Sequence, residues 1–564
     1  MCHPHHAGDG GGRRRHSGER PATPAGERPA PPGADCVRPP PRPECAIVRT
    51  ITGAASGAAS NGSGPVSPYR AAGLPGFALL PVAAIATGLA ALLIVLSGRY
   101  GYHRDELYFL ACGQHLAWGY PDQPPLVPLL ARVMSALAPG SLVVLRLPSA
   151  LASAALVLLT GLTARELGAG RRAQALAAAA IAIAPMTLGA GHLLSTTTFD
   201  LPAWALVAWL VVRILRTGDD RLWLAVGLAT GVGLFDSDLI AFGLFGVVAG
   251  LLLAGPRRPF RSPWLYAGGV IAVALWLPYL AWQASHGWPE LAIAHSIANG
   301  GSGTSAPPWE FLPAQLILTG YLAPVWIAGL VRLLRPGPLR WCRALGVAWL
   351  VLAAVFIATG GKPYYLGGLY PVLLGAGAQP TLDWLRRGRA RARAGLAAVL
   401  VALTLTLVPV TLPVLPVTAV GRTPIVTLNY DAGETIGWPA YVREIAAVYR
   451  SLPLAQRSAT IVLASNYGEA GAVLRFGPAD GLPAVYSGHN AFWYWGPPPA
   501  SARSAVAVGF TRAALTPLCG TLRLAGRLNN HLGVTDQEQG APVWICSDLR
   551  TSWSAAWPRL KFLG

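Results

Sequence analysis

The chain has 564 residues, of which 53% are hydrophobic and only 12% are charged, and its formal net charge is +19. A soluble domain carries about 25% charged residues, so this composition does not fit an ordinary soluble protein. A large positive charge also occurs in nucleic-acid-binding proteins. Here, however, most arginines beyond the N-terminal region lie in short connections between apolar blocks, which is the pattern of membrane topology. We therefore expect a protein of the lipid bilayer with no nucleic-acid partner.

The N-terminal region, residues 1–75, is rich in Pro, Gly, Arg and Ser and lacks apolar periodicity. Such a segment cannot bury enough apolar surface to fold, so we predict a disordered cytoplasmic tail. Its histidines, His3, His5 and His6, are explained more simply as part of a solvated tail than as a metal site.

Long apolar blocks follow, and the first of them, 77–97, carries no charge over a length that spans a hydrocarbon core of about 30 Å. The block 222–254 is too long for one helix, and we place a break at Asp236-Ser237-Asp238. The pattern predicts about eleven transmembrane helices. Their approximate ranges are 77–97, 141–163, 173–190, 200–212, two helices within 222–254, 264–284, 314–331, 344–360, 364–380 and 395–417.

Arginine clusters fall in every second connection, and the positive-inside rule assigns those connections to the cytoplasm. The N-terminus is then cytoplasmic, and the tail 421–564 is extracytoplasmic. The tail contains β-type runs at 459–465 and 504–510 between Gly, Pro and Asn turns, and a helix-like stretch near 439–450, so we predict a small α/β domain. For Cys519 and Cys546 in this domain, a disulfide and two free thiols both stay open.

Acids, histidines and one lysine collect in the connections assigned to the outer face. Ionisable residues at helix ends near a bilayer are costly unless they are paired or used. The excess of acids favours a general base, a divalent cation, or both. The sharpest local motif is Asp105-Glu106 after the first helix, although an N-terminal cap and first-turn pair would look the same. The collected residues are Arg104, Asp105, Glu106, Asp122, Gln123, His192, Ser195, Thr196, Asp200, Asp236, Asp238, Gln283, His286, Glu290, Lys362, Tyr364 and Tyr365.

The first loop, GYHRDELYFLACGQHLAWGYPDQPPLVPLLARV, resembles the GT-C glycosyltransferases of the protein-mannosyltransferase and aminoarabinose-transferase type. Later stretches resemble actinobacterial members in the same order, among them GHLLSTTTFDLPAW, LPYLAWQASHGWPE, GKPYYLGGLYPVLLGAGA and, in the tail, NYGEAGA and YSGHNAFWYWGPP. The resemblance runs from about residue 95 to the C-terminus. It implies a GT-C membrane domain at 76–420 and transfer of a sugar, with inversion, from a polyprenyl-phosphate donor. The acceptor would be a hydroxyl of a glycan, lipid or protein at the outer face of the cell membrane.

The resemblance also implies roles for individual residues. Asp105 would be the general base, and Glu106 would support it or position the acceptor. The implied donor or phosphate contacts are Arg104, Asp122, His286, Lys362, Tyr364 and Tyr365. A divalent metal cation stays open, with Glu106, Asp122 and His286 as candidate ligands. Simpler explanations remain for Lys362 as an interfacial lysine and for the tyrosines and His286 as interface anchors.

One stretch departs from the family pattern, because relatives often have Asn-Lys where this chain reads Phe235-Asp236-Ser237-Asp238. The departure leaves the identity of the donor open. Two other function classes also stay open. A lipid-linked sugar transporter or flippase would place ionisable residues on broken helices near the bilayer midplane. An inactive scaffold would bind glycan through the aromatic run 492–495, for which core packing is the simpler explanation.

Overall fold

A computed structural model describes residues 73–301 and 304–564, so nearly all of the predicted tail 1–75 lies outside the described residues. In the described part, six helices are long and apolar enough to cross a membrane, or up to eight if each of two bent pairs is one span. The six are Leu79–Leu96, Leu142–Glu166, Thr196–Thr217, Pro263–Ser285, Arg340–Thr359 and Ala390–Thr411. The protein is therefore helical with at least six candidate spans, and the count of about eleven stays a prediction.

The helices before the tail run in the following order. They are α1 (Leu79–Leu96), α2 (Arg104–Gln114), α3 (Leu126–Leu137), α4 (Leu142–Glu166), α5 (Arg171–Ala182), α6 (Pro185–His192), α7 (Thr196–Thr217), α8 (Leu222–Leu234), α9 (Leu239–Ala254), α10 (Pro263–Ser285), α11 (Pro289–Ala298), α12 (Phe311–Leu318), α13 (Ala323–Leu334), α14 (Arg343–Thr359), α15 (Tyr370–Arg386), α16 (Ala390–Leu405), α17 (Val408–Thr411) and α18 (Val417–Val420). A 3-10 helix, Pro363–Leu369, precedes α15.

Two predicted spans are bent rather than straight. The span predicted at 173–190 forms α5 and α6, whose axes differ by 57°, because Pro185 has no N–H to continue a helical ladder. The span predicted at 314–331 forms Pro308–Leu318 and Gly320–Leu334, which differ by 91°. That turn lies at Gly320, whose φ of 66° is readily adopted only by glycine.

The apolar block 222–254 is interrupted where the sequence predicts. α8 ends at Leu234 and α9 begins at Leu239, with 13 and 16 residues respectively. At 1.5 Å per residue they are about 20 and 24 Å long, shorter than a hydrocarbon core of roughly 30 Å. The carbonyl of Phe235 accepts a hydrogen bond from the backbone N–H of Leu126 at 2.8 Å. The break is thereby tied to the start of α3.

The first loop, residues 98–140, contains two helices, α2 and α3, which the sequence analysis did not predict. His103 caps α2, since its Nδ1 accepts the N–H of Asp105 at 3.2 Å, while Glu106 accepts the N–H of His103 at 2.8 Å. This reciprocal arrangement is a capping box. The capping alternative weighed for the acidic pair is therefore only partly correct, because the N-cap is His103 and both acids lie in the first turn, with Glu106 completing the capping box.

The tail forms a small α/β unit around a five-stranded sheet with the order β2-β1-β3-β5-β4. β1 pairs in parallel with β2 and β3, and β5 runs antiparallel between β3 and β4. The strands are β1 (Thr460–Ala464), β2 (Val485–Ser487), β3 (Ser504–Val508), β4 (Cys519–Arg527) and β5 (Pro542–Leu549). The helices are α19 (Ile425–Leu428), α20 (Tyr430–Gly433), α21 (Trp438–Arg450), α22 (Leu454–Arg457), α23 (Tyr467–Phe476), α24 (Ala491–Tyr494), α25 (Arg512–Leu515) and α26 (Trp553–Ala556).

The elements predicted for the tail are present in it. The runs 459–465 and 504–510 form β1 and β3, and the stretch near 439–450 forms α21. Cys519 and Cys546 are joined by a disulfide with an S–S distance of 1.98 Å. The alternative left open by the sequence is thus decided in favour of the bond.

The tail packs on the first loop through α23 and α2. A Cβ on Gly471 would lie 2.9 Å from the carbonyl carbon of Leu107, and one on Gly468 would lie 3.2 Å from Cβ of Arg104. Neither glycine has a side chain, so the two helices can approach each other closely. Because Gly468 lies near Arg104 and Gly471 lies near Leu107, the two helices run in the same direction. The glycines of the NYGEAGA stretch therefore bring the start of α23 beside the start of α2.

Candidate active site

Asp105, in the first turn of α2, keeps 37% of its side chain exposed. Its Oδ1 accepts a hydrogen bond from the hydroxyl of Tyr467 in α23 at 2.8 Å. Its Oδ2 lies 3.7 Å from Nδ1 of His103, which is beyond hydrogen-bonding distance. One carboxylate oxygen is therefore held by the tail, and the other is available to a substrate group.

His103 connects Asp105 with a second acid from the tail. Its Nε2 lies 3.7 Å from Oδ1 of Asp431 in α20, whose side chain is 44% exposed. Burial, the largest influence, lowers the pKa of His103, but the negative charges of Asp105 and Asp431 outweigh it and leave the pKa raised. The region around Asp105 thus favours a positive charge.

Glu106 differs completely from its neighbour, because it is fully buried and both of its oxygens are occupied. Arg146 in α4 donates to Oε1 through Nε at 2.8 Å and to Oε2 through Nη2 at 2.7 Å. The backbone N–H of Leu194 also donates to Oε1 at 2.9 Å, in addition to the capping bond from His103. Burial would raise the pKa of Glu106, but Arg146 and these N–H donors lower it. Glu106 anchors α2, and the geometry does not support its predicted contact with an acceptor or a metal.

Arg104 points into the tail rather than toward an open site. Its Nη1 pairs with Glu434 at 3.3 Å and donates to the hydroxyl of Tyr430 at 2.8 Å and to Gln537. Its guanidinium lies 4.9 Å from the centre of the Tyr467 ring. Arg104 is 6% exposed, so the expected contact with a donor phosphate does not fit this position.

Asp122, in the connection between α2 and α3, lies near Asp105. It accepts hydrogen bonds from the hydroxyl of Tyr108 at 2.8 Å and from the amide of Asn490 at 3.2 Å. Burial is the main cause that raises the pKa of Asp122, to about 7, and the charge of Asp105 acts in the same direction, while the two donors act in the opposite direction. Asp122 is consequently held by its neighbours, and burial disfavours its charged form.

Lys362 lies in the turn between α14 and the 3-10 helix Pro363–Leu369. Its ammonium group is 5.8 Å from the centre of the Tyr364 ring. Within residues 73–301 and 304–564 it makes no hydrogen bond and no salt bridge. Tyr365 packs edge-on against Tyr364, with ring centres 5.2 Å apart. Lys362 is thus a cation without a direct anionic partner in the described chain.

Lys362 and Asp105 both act on Tyr364. The ammonium group of Lys362 lies 5.8 Å from the centre of the Tyr364 ring, and the charge of Asp105 also acts on Tyr364. Partial burial raises the pKa of Asp431, but His103, Lys362 and Arg104 together outweigh it and lower that pKa. Asp105 and Lys362, which the sequence analysis proposed from separate segments, therefore share a neighbour in Tyr364, and no hydrogen bond or salt bridge joins them in the described residues.

His286 is exposed and makes other contacts. Its ring stacks on Trp282 with centres 4.0 Å apart and meets Tyr494 edge-on at 5.6 Å. Its Nδ1 is 2.8 Å from the carbonyl oxygen of Trp282. None of its hydrogen bonds or ring contacts in the described residues involves the acids of the first loop. These contacts favour the explanation of His286 as part of an aromatic surface.

The described residues contain no group of three or more His, Cys, Asp or Glu side chains placed to hold a metal ion. Glu106 is committed to Arg146, and Nε2 of His192 lies 3.2 Å from Nη1 of the same arginine. The candidate ligands Glu106, Asp122 and His286 therefore do not fit a shared metal centre, and we derive no catalytic step through a metal.

Comparisons with known proteins point to one family. Residues 122–282 match the family model described as dolichyl-phosphate-mannose-protein mannosyltransferase. The crystal structure of ArnT from Cupriavidus metallidurans in the apo state aligns with a TM-score of 0.55 at 16% identity, covering 83% of this chain and 97% of that chain. Over residues 122–282 the chain is similar to this family, and its fold is similar to that of ArnT. The resemblance carried by the first loop is confirmed at this level.

A second ArnT structure from the same organism, bound to undecaprenyl phosphate, aligns with a TM-score of 0.52 at 17% identity over the same shares of the two chains. No curated protein sequence matches the chain. At these identities the likeness establishes an ArnT-like fold.

At 235–238, where the family resemblance implies Asn-Lys, this chain has acids. Asp236 is 1% exposed, and neither of its carboxylate oxygens has a hydrogen-bond partner among the described residues. Its charged neighbour is Asp200, which accepts from Nε1 of Trp204 at 3.0 Å. Asp238 accepts from Nε1 of Trp276 at 2.9 Å. The departure at 235–238 therefore places the buried Asp236 near the buried Asp200 and supplies no cation in place of the lysine.

Sequence analysis missed three residues that contact or support the candidate site. Arg146 is a lone arginine inside a predicted span, and a charge in such a position signals a buried partner. Tyr467 lies in the NYGEAGA stretch. That stretch supported the family resemblance, but no function was predicted for any of its residues. No feature of the sequence around Asp431 indicates that this residue lies beside His103.

Proposed function

We propose that the protein is a membrane glycosyltransferase that moves a sugar from a polyprenyl-phosphate donor to a hydroxyl acceptor with inversion. The observation that carries the proposal is a carboxylate with one free oxygen and a cation without an anionic partner in the described chain, both acting on Tyr364. Asp105 offers Oδ2, and Lys362 offers an ammonium group without a direct anionic partner in the described chain. The ArnT structure bound to undecaprenyl phosphate supports a lipid-phosphate donor.

The proposed reaction is a single displacement at the anomeric carbon. Oδ2 of Asp105 takes the proton of the acceptor hydroxyl while the hydroxyl oxygen of the acceptor forms a bond to the anomeric carbon. The bond between this carbon and the donor phosphate breaks, and the phosphate oxygen leaves with the electron pair. The transition state has oxocarbenium character, and negative charge grows on the leaving phosphate. Lys362 stabilises that charge, as a preorganised cation does for an oxyanion.

We also propose the orientation in which residues 1–75 are cytoplasmic and the tail 421–564 is extracytoplasmic. Arginine-rich connections at the opposite face support it through the positive-inside rule. The disulfide between Cys519 and Cys546 supports it as well, because such bonds form and persist mainly in oxidising compartments. On this orientation the membrane domain is 76–420, with about eleven spans, and the site faces the outer leaflet.

The first prediction concerns Asp105. In proteoliposomes supplied with a radiolabelled polyprenyl-phosphate sugar and a candidate acceptor glycan, Asp105→Asn is expected to lower the transfer rate by about a hundred- to ten-thousand-fold. An amide has no basic oxygen to take the proton, and general base catalysis contributes typically 10²–10⁴-fold. The amount of folded protein inserted in the membrane is expected to stay the same.

Asp219→Asn is the matched control, because Asp219 is exposed and lies in an arginine-bearing connection. It is expected to transfer at the wild-type rate. Full activity of Asp105→Asn would remove this carboxylate from the mechanism. Movement of the lipid-linked sugar across the bilayer without any transfer would instead support a flippase.

A further inference from the structure

Tyr467 is a tail residue that touches the proposed base directly. It is the first residue of α23, and its hydroxyl donates to Oδ1 of Asp105 at 2.8 Å. The partners are 362 positions apart in the chain. The contact exists only because the tail packs against the first loop.

The position of the Tyr467 hydroxyl is fixed by its surroundings. The ring packs against Tyr108, with centres 4.7 Å apart, and against His489, with centres 4.8 Å apart. The guanidinium of Arg104 lies over the ring, 4.9 Å from its centre. The backbone N–H of Tyr467 donates to Nδ1 of His489 at 3.2 Å. A side chain held at its ring and its backbone presents its hydroxyl in one place.

The start of α23 is equally well fixed. Asn466 and Glu469 form a capping box, in which the Asn466 side chain accepts the N–H of Glu469 at 2.9 Å. Gly471 allows the close approach of α23 to the backbone of Leu107. The hydrogen bond to Asp105 therefore joins two rigid helix starts rather than two loops.

Resting on the proposed function, we propose that Tyr467 is a positioning residue for the general base. Its hydrogen bond holds Oδ1 and turns Oδ2 toward the acceptor hydroxyl. A carboxylate without this bond rotates freely about its side-chain torsions and spends less time aligned for proton transfer. The tail domain thereby completes a site whose reacting groups lie in the membrane region.

Tyr467 stays a donor over the working pH range. Burial is the main cause that raises the pKa of Tyr467 well above its usual value, and the charge of Asp105 raises it further. The hydroxyl is consequently protonated, and able to donate, at neutral pH. A hydrogen bond of this kind favours the charged form of the carboxyl, which is the form that acts as a base.

The test compares the wild type, Tyr467→Phe and Tyr449→Phe in the proteoliposome transfer assay. Tyr449→Phe is the matched control, because it also removes a tail hydroxyl, one that donates to the backbone carbonyl of Arg457 at 3.1 Å. For Tyr467→Phe we expect kcat to fall about ten- to a hundred-fold, as for a lost hydrogen bond to a charged group. The KM for both substrates is expected to stay within about two-fold of the wild-type values, since in the proposed role the hydroxyl acts through Asp105 and not on a substrate.

The pH dependence separates positioning from mere folding. In Tyr467→Phe the acid limb of the kcat profile is expected to move to higher pH, whereas Tyr449→Phe is expected to keep the wild-type profile. An unchanged kcat and profile in Tyr467→Phe, with an active wild type, would overturn the inference alone. A lower kcat with an unmoved acid limb and a lower melting temperature would also overturn it, because that result describes a structural role. A wild type that transfers no sugar would overturn the proposed function, and this inference with it.

Discussion

Arg146 is the residue on which the geometry of the first loop depends most. Besides its two bonds to Glu106, it donates to the carbonyl of Ser97 at 2.8 Å and to that of Gly101 at 2.7 Å. The side chains of Arg146 and Glu106 are both fully buried. One side chain therefore ties the end of α1, the start of α2 and the start of α4 together, directly behind Asp105.

We predict that Arg146→Met destabilises the protein by about 3–5 kcal/mol, because it leaves the buried Glu106 carboxylate without a counterion. The double variant Glu106→Gln/Arg146→Met is expected to lose less than the sum of the two single variants, since it removes both charges. Thermal unfolding of the detergent-solubilised protein measures all three.

Arg213→Met is the control for this cycle. Arg213 pairs with Glu166 at 3.8 Å, and its side chain is 42% exposed, so its loss should cost less than about 1 kcal/mol. If Arg146→Met were no more destabilising than this variant, Arg146 would not be the anchor of the loop.

The difference between Asp105 and Glu106 also belongs to the residue scale. They are adjacent in sequence, yet the first is partly exposed and the second is fully buried. Their side chains leave α2 about 100° apart, so one faces the membrane helices and the other faces the tail. In the sequence analysis only the family resemblance gave them different roles, whereas the structure gives a physical reason, the buried arginine behind Glu106.

At the scale of elements, the contact between α2 and α23 decides whether the tail reaches the site. It depends on glycine, because any Cβ at position 471 would meet the backbone of Leu107 at 2.9 Å. Backbone cannot move aside as the end of a flexible side chain does. The two helices would have to separate to admit a larger residue.

We therefore predict that Gly471→Leu lowers sugar transfer at least about ten-fold, because it moves Tyr467 out of reach of Asp105. Gly395→Leu is the matched control, since Gly395 lies in α16 with no neighbouring atom within 4 Å of an added Cβ. The transfer assay on both variants at equal protein amounts is the measurement. Equal activity of the two would show that the contact between α2 and α23 does not matter for catalysis.

At the scale of the whole molecule, the tail and the membrane region share one polar interface. Arg104 binds Glu434 and Tyr430, Asp105 binds Tyr467, and Asp122 binds Asn490. Each of these pairs joins the first loop to the tail. The site proposed here is consequently composite, and neither region carries it alone.

The disulfide gives a prediction about the tail as a whole. In protein isolated from cells under non-reducing conditions, Cys519 and Cys546 should resist alkylation until a reductant is added. The buried thiols of Cys112 and Cys342 should react once the protein is denatured. Peptide mass spectrometry is the measurement. Alkylation of Cys519 and Cys546 without reductant would contradict both the bond and the oxidising location proposed for the tail.

Replacing both bonded cysteines by serine should also destabilise the tail. The bond closes a loop of 27 residues, and the chain-entropy model gives roughly 3–4 kcal/mol for such a loop. The variant is expected to unfold at a lower temperature than the wild type and to keep its membrane insertion. An unchanged melting temperature would show that the rest of the sheet holds the tail by itself.

The sequence by itself determined the class of the protein and much of its element order. Apolar blocks, arginine periodicity and the first-loop motif are local in the chain, so they predicted the membrane helices, the break at 236–238 and the family. They also singled out Asp105 and Lys362. The bends at Pro185 and Gly320 were missed because the spans were predicted from apolar content. The sequence stays apolar across both positions, although the backbone changes direction there.

Only the tertiary structure decided which polar residues meet. Arg104 was expected at a phosphate and lies against Glu434, Glu106 was expected at the acceptor and is closed off by Arg146, and Asp105 is held by Tyr467. Each partner is distant in the chain, from 40 positions for Arg146 to 362 for Tyr467. Burial and hydrogen bonding arise from the packing of α2, α4 and α23, and no local pattern encodes such distant pairs.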